Sequence, residues 1–437
     1  LETIAGRRQA LPGGGEEPMR VTRRQAIAAA GGLAAGLAAA PRARAETQLK
    51  IAFNAWPPEQ ITPLFDGFAA ANPEIKPDLQ SVPTADLLPA LDTQLGARTT
   101  EPDLYSCPSQ FTASYAVHGH ALALDDIIDE KRFVKAALDA GRFRRKLYSA
   151  PFASSCQLLF YNRALFHAAN IEPPPPDVAK RWTWEQIVDA GRHLTDAAKN
   201  RWGLVFEQPE RPYQMLPFGE SLGGSAMSAV GLQATGHIDG PEFIEGFSFL
   251  QRMYTDWKII PPGVADETAT TDLFGGGQAA MFIGGTWNFD NLPQKYRQLD
   301  WGVAPHPCFA RGKPATPTGS WHLAINPRTR NRDAAVRFVN YMTGDEAQIM
   351  WFRLRPHPPV LIDMWTRIPE AFATDGWRIV HYELEHTAVP APASPGYREF
   401  DDLLGVTLRE LRTGGNVAVL LTTAARRIDQ QLDKYMN

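Results

Sequence analysis

Cysteine is scarce: three in 437 residues, too few for a disulfide framework or a four-cysteine zinc site. Neither sign of charge is in large excess. The 44 Lys and Arg face 48 Asp and Glu, which leaves no basic footprint for nucleic acid. No apolar run approaches the ~20 residues that cross a bilayer. There is no H-E-x-x-H, and Gly275-Gly276-Gly277 completes neither a G-x-G-x-x-G unit nor a Gly-Lys-Ser/Thr phosphate loop. No internal repeat is evident. What is present is ordinary for a folded chain, 44% hydrophobic and 21% charged, which excludes a largely disordered one. The length exceeds the roughly 250–300 residues that one hydrophobic core organises, so two lobes are expected.

The first 45 residues read as a targeting segment outside the fold. Residues 1–18 are polar and Gly/Pro-rich, an extension upstream of Met19. Thr22-Arg23-Arg24-Gln25 is a twin-arginine head, residues 26–40 are a weakly hydrophobic Ala/Gly stretch, and Ala43-Arg44-Ala45 is an A-x-A cleavage site. That order of charged, apolar and small-residue regions is the grammar of an exported precursor, with a Tat-like head. Export to a periplasm with cleavage after Ala45 is expected. Cleavage there leaves 37 basic and 45 acidic side chains.

The chain then opens βαβαβ. Leu49 to Phe53 alternates as a strand, Ile61 to Ala69 follows helical spacing, and Leu79 to Val82 is a second strand. Leu87, Leu88, Leu91 and Leu95 mark a helix before a third strand from Pro102. This is the pattern of a sheet covered by helices on both faces. Later segments are helix-rich. Thr183 and Gln186 form a capping box, and Val417 to Leu432 is a clean amphipathic helix.

Few residues carry reactive grammar. Gly219-Glu220-Ser221-Leu222-Gly223 matches the G-x-S-x-G elbow, but that motif needs a buried strand ahead of the serine. Residues 211–218 hold two prolines and no alternation, so an exported serine hydrolase using Ser221 is the weaker reading and a small-residue helix end the stronger. His118-Gly119-His120 lacks a third ligand, so surface or helix-end histidines are expected, and neither metal nor cofactor. Cys107, Cys156 and Cys308 are scattered; one disulfide and three thiols both remain open. The remaining signal is aromatic. Of eleven tryptophans, Trp56 precedes Pro57, Trp287 follows Gly284-Gly285-Thr286 and Trp321 follows Gly319-Ser320, all free of any helix period, which suits the wall of a cleft.

Larger matches follow one order. Leu147 to Phe152, Leu159-Phe160-Tyr161-Asn162-Arg163-Ala164-Leu165-Phe166 and Trp182-Thr183-Trp184-Glu185 come first. Phe274-x3-Gln278-Ala279-Ala280-Met281-x5-Trp287 and Leu323-Ala324-Ile325-Asn326 then precede Ala334-Ala335-x2-Phe338-Val339. Over residues 48–435 the chain resembles the family 1 extracellular solute-binding proteins, the sugar-binding subunits of ABC importers of the maltose-binding type. The resemblance implies a two-lobed α/β periplasmic binding protein fold with crossovers between the lobes and a ligand cleft. It places crossings near residues 152–155, 268–272 and 318–321. Lobe one is then 46–152 plus 271–317, and lobe two 153–270 plus 318–437.

The same resemblance implies a sugar ring stacked on Trp287, with Tyr213 a second aromatic. Ser154 and Ser155 fall at the first crossing, where one maltose-type pattern has Glu. Asn54, Trp56 and Gln110 sit at loop ends of the first lobe, and Gly319, Ser320 and Trp321 at the last crossing. Tyr397 or Phe400 adds a stacking surface. A pyranose has an apolar face for an aromatic plane and a rim of hydroxyls for polar groups. The implied protein is a monomeric periplasmic carrier of a mono- or oligosaccharide, not an enzyme, whose partners are an ABC permease and its ATPase. The alternatives on this scaffold are a glycerol phosphodiester, polyol, polyamine or metal ligand. Phosphate would want an Arg/Lys cluster and a polyamine carboxylates; the named positions are mostly neutral, which favours sugar.

Overall fold

A computed structural model describes residues 46–436. The signal-like segment of residues 1–45 lies outside the described residues. Within them no helix is long and apolar enough to cross a membrane.

The opening follows the expected βαβαβ order. β1 (Thr47–Asn54) is followed by α1 (Pro58–Ala71), β2 (Ile75–Val82), α2 (Thr84–Gly96) and β3 (Leu104–Pro108). α1 starts a turn earlier than its apolar spacing suggests, because Pro58 fits a first helical position. Pro63 therefore lies inside the helix rather than in its first turn. β2 carries Pro77 without cost to the sheet because it is the edge strand.

β4 (Ala150–Asn162) is the longest strand, and all thirteen of its residues are buried. After α3 (Trp184–Leu194) come β5 (Trp202–Phe206), α4 (Pro241–Thr255), α5 (Glu267–Gly275), β6 (Ala279–Gly285), α6 (Asn288–Lys295) and β7 (Trp301–Ala304). β8 (Thr316–Ile325), α7 (Arg332–Met342), α8 (Asp345–Leu354), α9 (Asp375–His386), β9 (Ala388–Pro390), α10 (Tyr397–Thr413) and α11 (Val417–Leu432) complete the chain. The expected capping box is formed: Thr183 and Gln186 bond each other's backbone at the head of α3.

The sheet runs β2-β1-β3-β8-β4-β6-β5, with β9 added to β8 and β7 to β4. Two long strands join its halves. β4 pairs with β8 through residues 150–156, then with β6 through 157–161 and β7 through 159–162. Side chains alternate across the sheet. Leu159 and Tyr161 join one buried cluster, and Leu158 and Phe160 the other.

The resemblance puts residues 268–272 at a crossing and β6 and β7 in the first lobe. Residues 268–272 lie within α5, whose N-cap Asp266 accepts the Ala269 amide at 3.0 Å. Short Asp and Thr side chains cap and build this helix. β6 and β7, expected to accompany β1–β3, pair with β5 and the second half of β4.

Candidate functional site

Strand and helix ends converge on a cavity of about 280 Å³, just below the ~300–1,000 Å³ of typical small-molecule sites. Its wall brings together nine of the expected residues: Asn54, Trp56, Gln110, Ser155, Tyr213, Trp287, Gly319, Ser320 and Trp321. Cavities of about 540 Å³, 490 Å³ and 390 Å³ are larger. The first is walled mainly by Ala, Ser, Gly and Pro, the second has Trp365 with two histidines, and the third has four aromatic residues but few polar ones; the small cavity joins Trp56, Phe111, Tyr213, Trp287 and Trp321 to a larger set of polar side chains.

Trp287 is half-buried and follows β6 at the head of α6. Its indole folds back over Gly285, where an added Cβ would lie 2.2 Å from the ring. The indole Nε1 donates to Glu207 Oε1 at 2.8 Å. Glu207 follows β5 and is 1% exposed. Its Oε1 also accepts from Asn288 Nδ2 at 2.7 Å, and its Oε2 from the Gly285 amide at 2.9 Å. Burial first, then the neighbouring Glu267, pushes the carboxyl up to about 8 despite these donors.

Tyr213 sits on the one-turn helix Pro212–Met215, and its hydroxyl accepts from Gln214 Nε2 at 3.0 Å. Asn54 Oδ1 accepts from the Thr84 hydroxyl at 2.7 Å, and Ser155 Oγ donates to the Gly319 carbonyl at 3.2 Å. Trp56 is mainly a core residue, 9% exposed, with ring centroids 5.3 Å from Phe53, 5.0 Å from Trp351 and 5.4 Å from Trp321.

Two expected residues are elsewhere. Ser154 is buried but does not line the cavity; alternation along β4 gives the cavity face to Ser155. Tyr397 is wholly buried, edge-on to Phe111 at 5.3 Å and 5.8 Å from Phe400. Phe400 is core as well.

The wall is also more charged than the expected residues suggested. Arg211, Arg355, Glu267 and Asp401 reach it, with His357 beside them. Arg211 pairs with Asp401 at 3.5 Å, and burial raises that carboxyl to about 6. Arg355 donates from Nη1 to Gln60 Oε1 and from Nε to His357 Nε2, both at 2.8 Å. Its nearest carboxylate, Asp290, is 4.0 Å away. Burial holds His357 down to about 3, so its ring is the neutral acceptor Arg355 requires. These charged residues belong to no local motif, and sequence spacing held no signal for them.

The other reactive candidates are used structurally. Ser221 Oγ accepts the Phe309 amide at 3.2 Å, and its carbonyl accepts the Lys313 amide at 2.8 Å. One-turn helices, not a strand, precede it. All three cysteines are free. His118 bonds the Ser114 carbonyl at 2.8 Å. Among the described residues no cluster of three or more His, Cys, Asp or Glu is placed to hold a metal.

The family model for bacterial extracellular solute-binding proteins matches residues 54–349. The chain belongs to that family. This solute-binding protein is 22% identical over 379 residues to a putative binding protein of Brucella abortus, covering 84% of this chain and 88% of that one. Its fold is similar to the Listeria monocytogenes ABC substrate-binding protein in complex with cycloalternan, with a TM-score of 0.77, 24% identity, and 90% and 99% of the two chains covered. It is equally similar to UgpB from Mycobacterium tuberculosis in complex with glycerophosphocholine, with a TM-score of 0.77, 20% identity, and 89% and 99% covered. The architecture is that of the two-lobed periplasmic binding proteins.

Proposed function

We propose that this solute-binding protein is the exported carrier subunit of an ABC importer and binds a mono- or oligosaccharide in the 280 Å³ cavity. The observation that carries the reading is Trp287. Its ring is backed by Gly285 and tethered by Glu207, yet still lines the cavity. A fixed aromatic plane suits the apolar face of a pyranose, and Asn54, Gln110, Ser155 and Asn291 offer partners for its hydroxyls.

The hinge of this reading is the pair of long strands, near residues 153–157 of β4 and 318–321 of β8. One lobe is built on β1–β3, and the other on β5–β7. Ligand closes the lobes because it binds the closed form more tightly, and the permease reads that form. The monomer reaches a periplasm by the twin-arginine route with cleavage after Ala45.

A phosphodiester is the competing ligand, favoured by Arg211 and Arg355 on the wall. A thermal-shift screen separates them. Millimolar mono- and disaccharides should raise the melting temperature, since a ligand at a hundred times its Kd adds ~2.7 kcal/mol. Stabilisation by glycerophosphodiesters alone would overturn the carbohydrate reading.

A further inference from the structure

We infer that Glu207 is a positioning residue for the ligand: its carboxyl group, buried behind the cavity wall, fixes the plane that Trp287 presents. This rests on the reading that Trp287 stacks on a sugar. Glu207 is not on the cavity wall, so it acts through the indole.

The geometry is specific. Three donors converge on one carboxyl group: the Trp287 indole at 2.8 Å, the Asn288 side chain at 2.7 Å and the Gly285 amide at 2.9 Å. Gly285, Trp287 and Asn288 are the residues that turn the chain from β6 into α6. Glu207 itself is held on both sides. Its amide donates to the Ile283 carbonyl at 2.9 Å, and its carbonyl accepts the Thr270 hydroxyl of α5 at 2.7 Å. A half-buried indole on a turn would otherwise rotate about its side-chain torsions. The Nε1 bond removes that freedom before ligand arrives, so the ordering cost is not charged to binding.

A turn could be closed more simply. A buried carboxyl is costly to bring out of water, and here both of its oxygens accept: Oε1 from the indole and Asn288, and Oε2 from the Gly285 amide. Moreover, Asn288 Nδ2 already bonds the Gly285 carbonyl at 3.1 Å, which ties the turn without Glu207. Of the donors that depend on the carboxyl group, the indole is the one whose side chain lines the cavity.

The test is a double-substitution cycle with the sugar that the screen selects. Glu207→Leu removes the acceptor and should weaken binding about tenfold, the equivalent of losing one hydrogen bond to a charged or strongly polar group. Glu207→Gln keeps an acceptor oxygen for the indole and should restore most of the affinity. Trp287→Phe keeps a ring but has no N–H, so adding Glu207→Leu to it should change affinity little. An equal loss in both backgrounds would overturn the proposal and leave Glu207 a turn clip. A second readout needs neither ligand nor a change at residue 207. The Trp287 indole proton, assigned by its absence in Trp287→Phe, should exchange slowly with water in the unsubstituted protein. Exchange as fast as that of an exposed indole would also refute the tether. If no carbohydrate binds, the carbohydrate reading fails while this measurement still decides the role of Glu207.

Discussion

Single residues set the cavity wall. Gly285 is required not for a backbone conformation but for space: its missing Cβ is where the Trp287 ring lies. Gly285→Ala places a methyl 2.2 Å from the ring and must push the indole away from its bond to Glu207. Sugar affinity should then fall severalfold, although residue 285 never touches the ligand; unchanged affinity in calorimetric titration would show that the ring is not held as described. Trp287 was legible because Gly284-Gly285-Thr286 frees it from any core period. Glu207 was not. It is one acid after a strand, and its partners are 78 to 81 residues away in sequence. Tyr397 misled for another reason. The resemblance alone put it, or Phe400, at the ligand, yet it opens α10 and faces Phe111.

At the scale of elements, periodicity named the opening strands and the amphipathic helices, since burial on one face leaves a period in the sequence, but it missed β4, which is buried on both faces and has none. It was blind to which elements pair. β6 and β7 look alike whether they join β3 or β5, and the register is fixed only by β4 passing between the sheet halves. It was equally blind to long-range polar ties. Arg181, ahead of α3, forks onto Glu383 of α9 with contacts of 2.6 Å and 3.2 Å. The same carboxylate accepts the Thr316 hydroxyl of β8 at 2.7 Å, and the two side chains are 5% and 0% exposed. Glu383→Ala strands a buried guanidinium and should cost about 3–5 kcal/mol. Denaturant unfolding would measure it, and a loss below about 1 kcal/mol would mean that water reaches the site.

For the whole molecule, stability should depend on pH in a direction set by buried groups. Burial pushes Glu207 and Glu220 up to about 8, whereas unfolded Glu titrates near ~4.3. Between those values the native state holds protons the unfolded chain has lost, so stability falls as pH rises through the window. His306, His322 and His357 are held down to about 3 by burial, and unfolded His titrates near ~6.5. They resist charging, so they lower stability as pH falls below that value. Between about pH 6.5 and 8 the raised carboxyls dominate these two sets. The ligand-free melting temperature should therefore drop from pH 6.5 to 8.5, and Glu207→Gln should flatten the drop. A rise across that interval would contradict the account.

The central claim for the molecule is that one cavity binds a carbohydrate on Trp287. Calorimetric titration of Trp287→Ala beside the unsubstituted protein, with the sugar found in the screen, tests it most directly. Removing the ring takes away buried apolar area and a stacking contribution of ~0.5–1.5 kcal/mol, and ~1.4 kcal/mol is a factor of ten. The account predicts at least a tenfold fall in affinity with a ligand-free protein that still melts cooperatively. Retained affinity in a folded variant would contradict it.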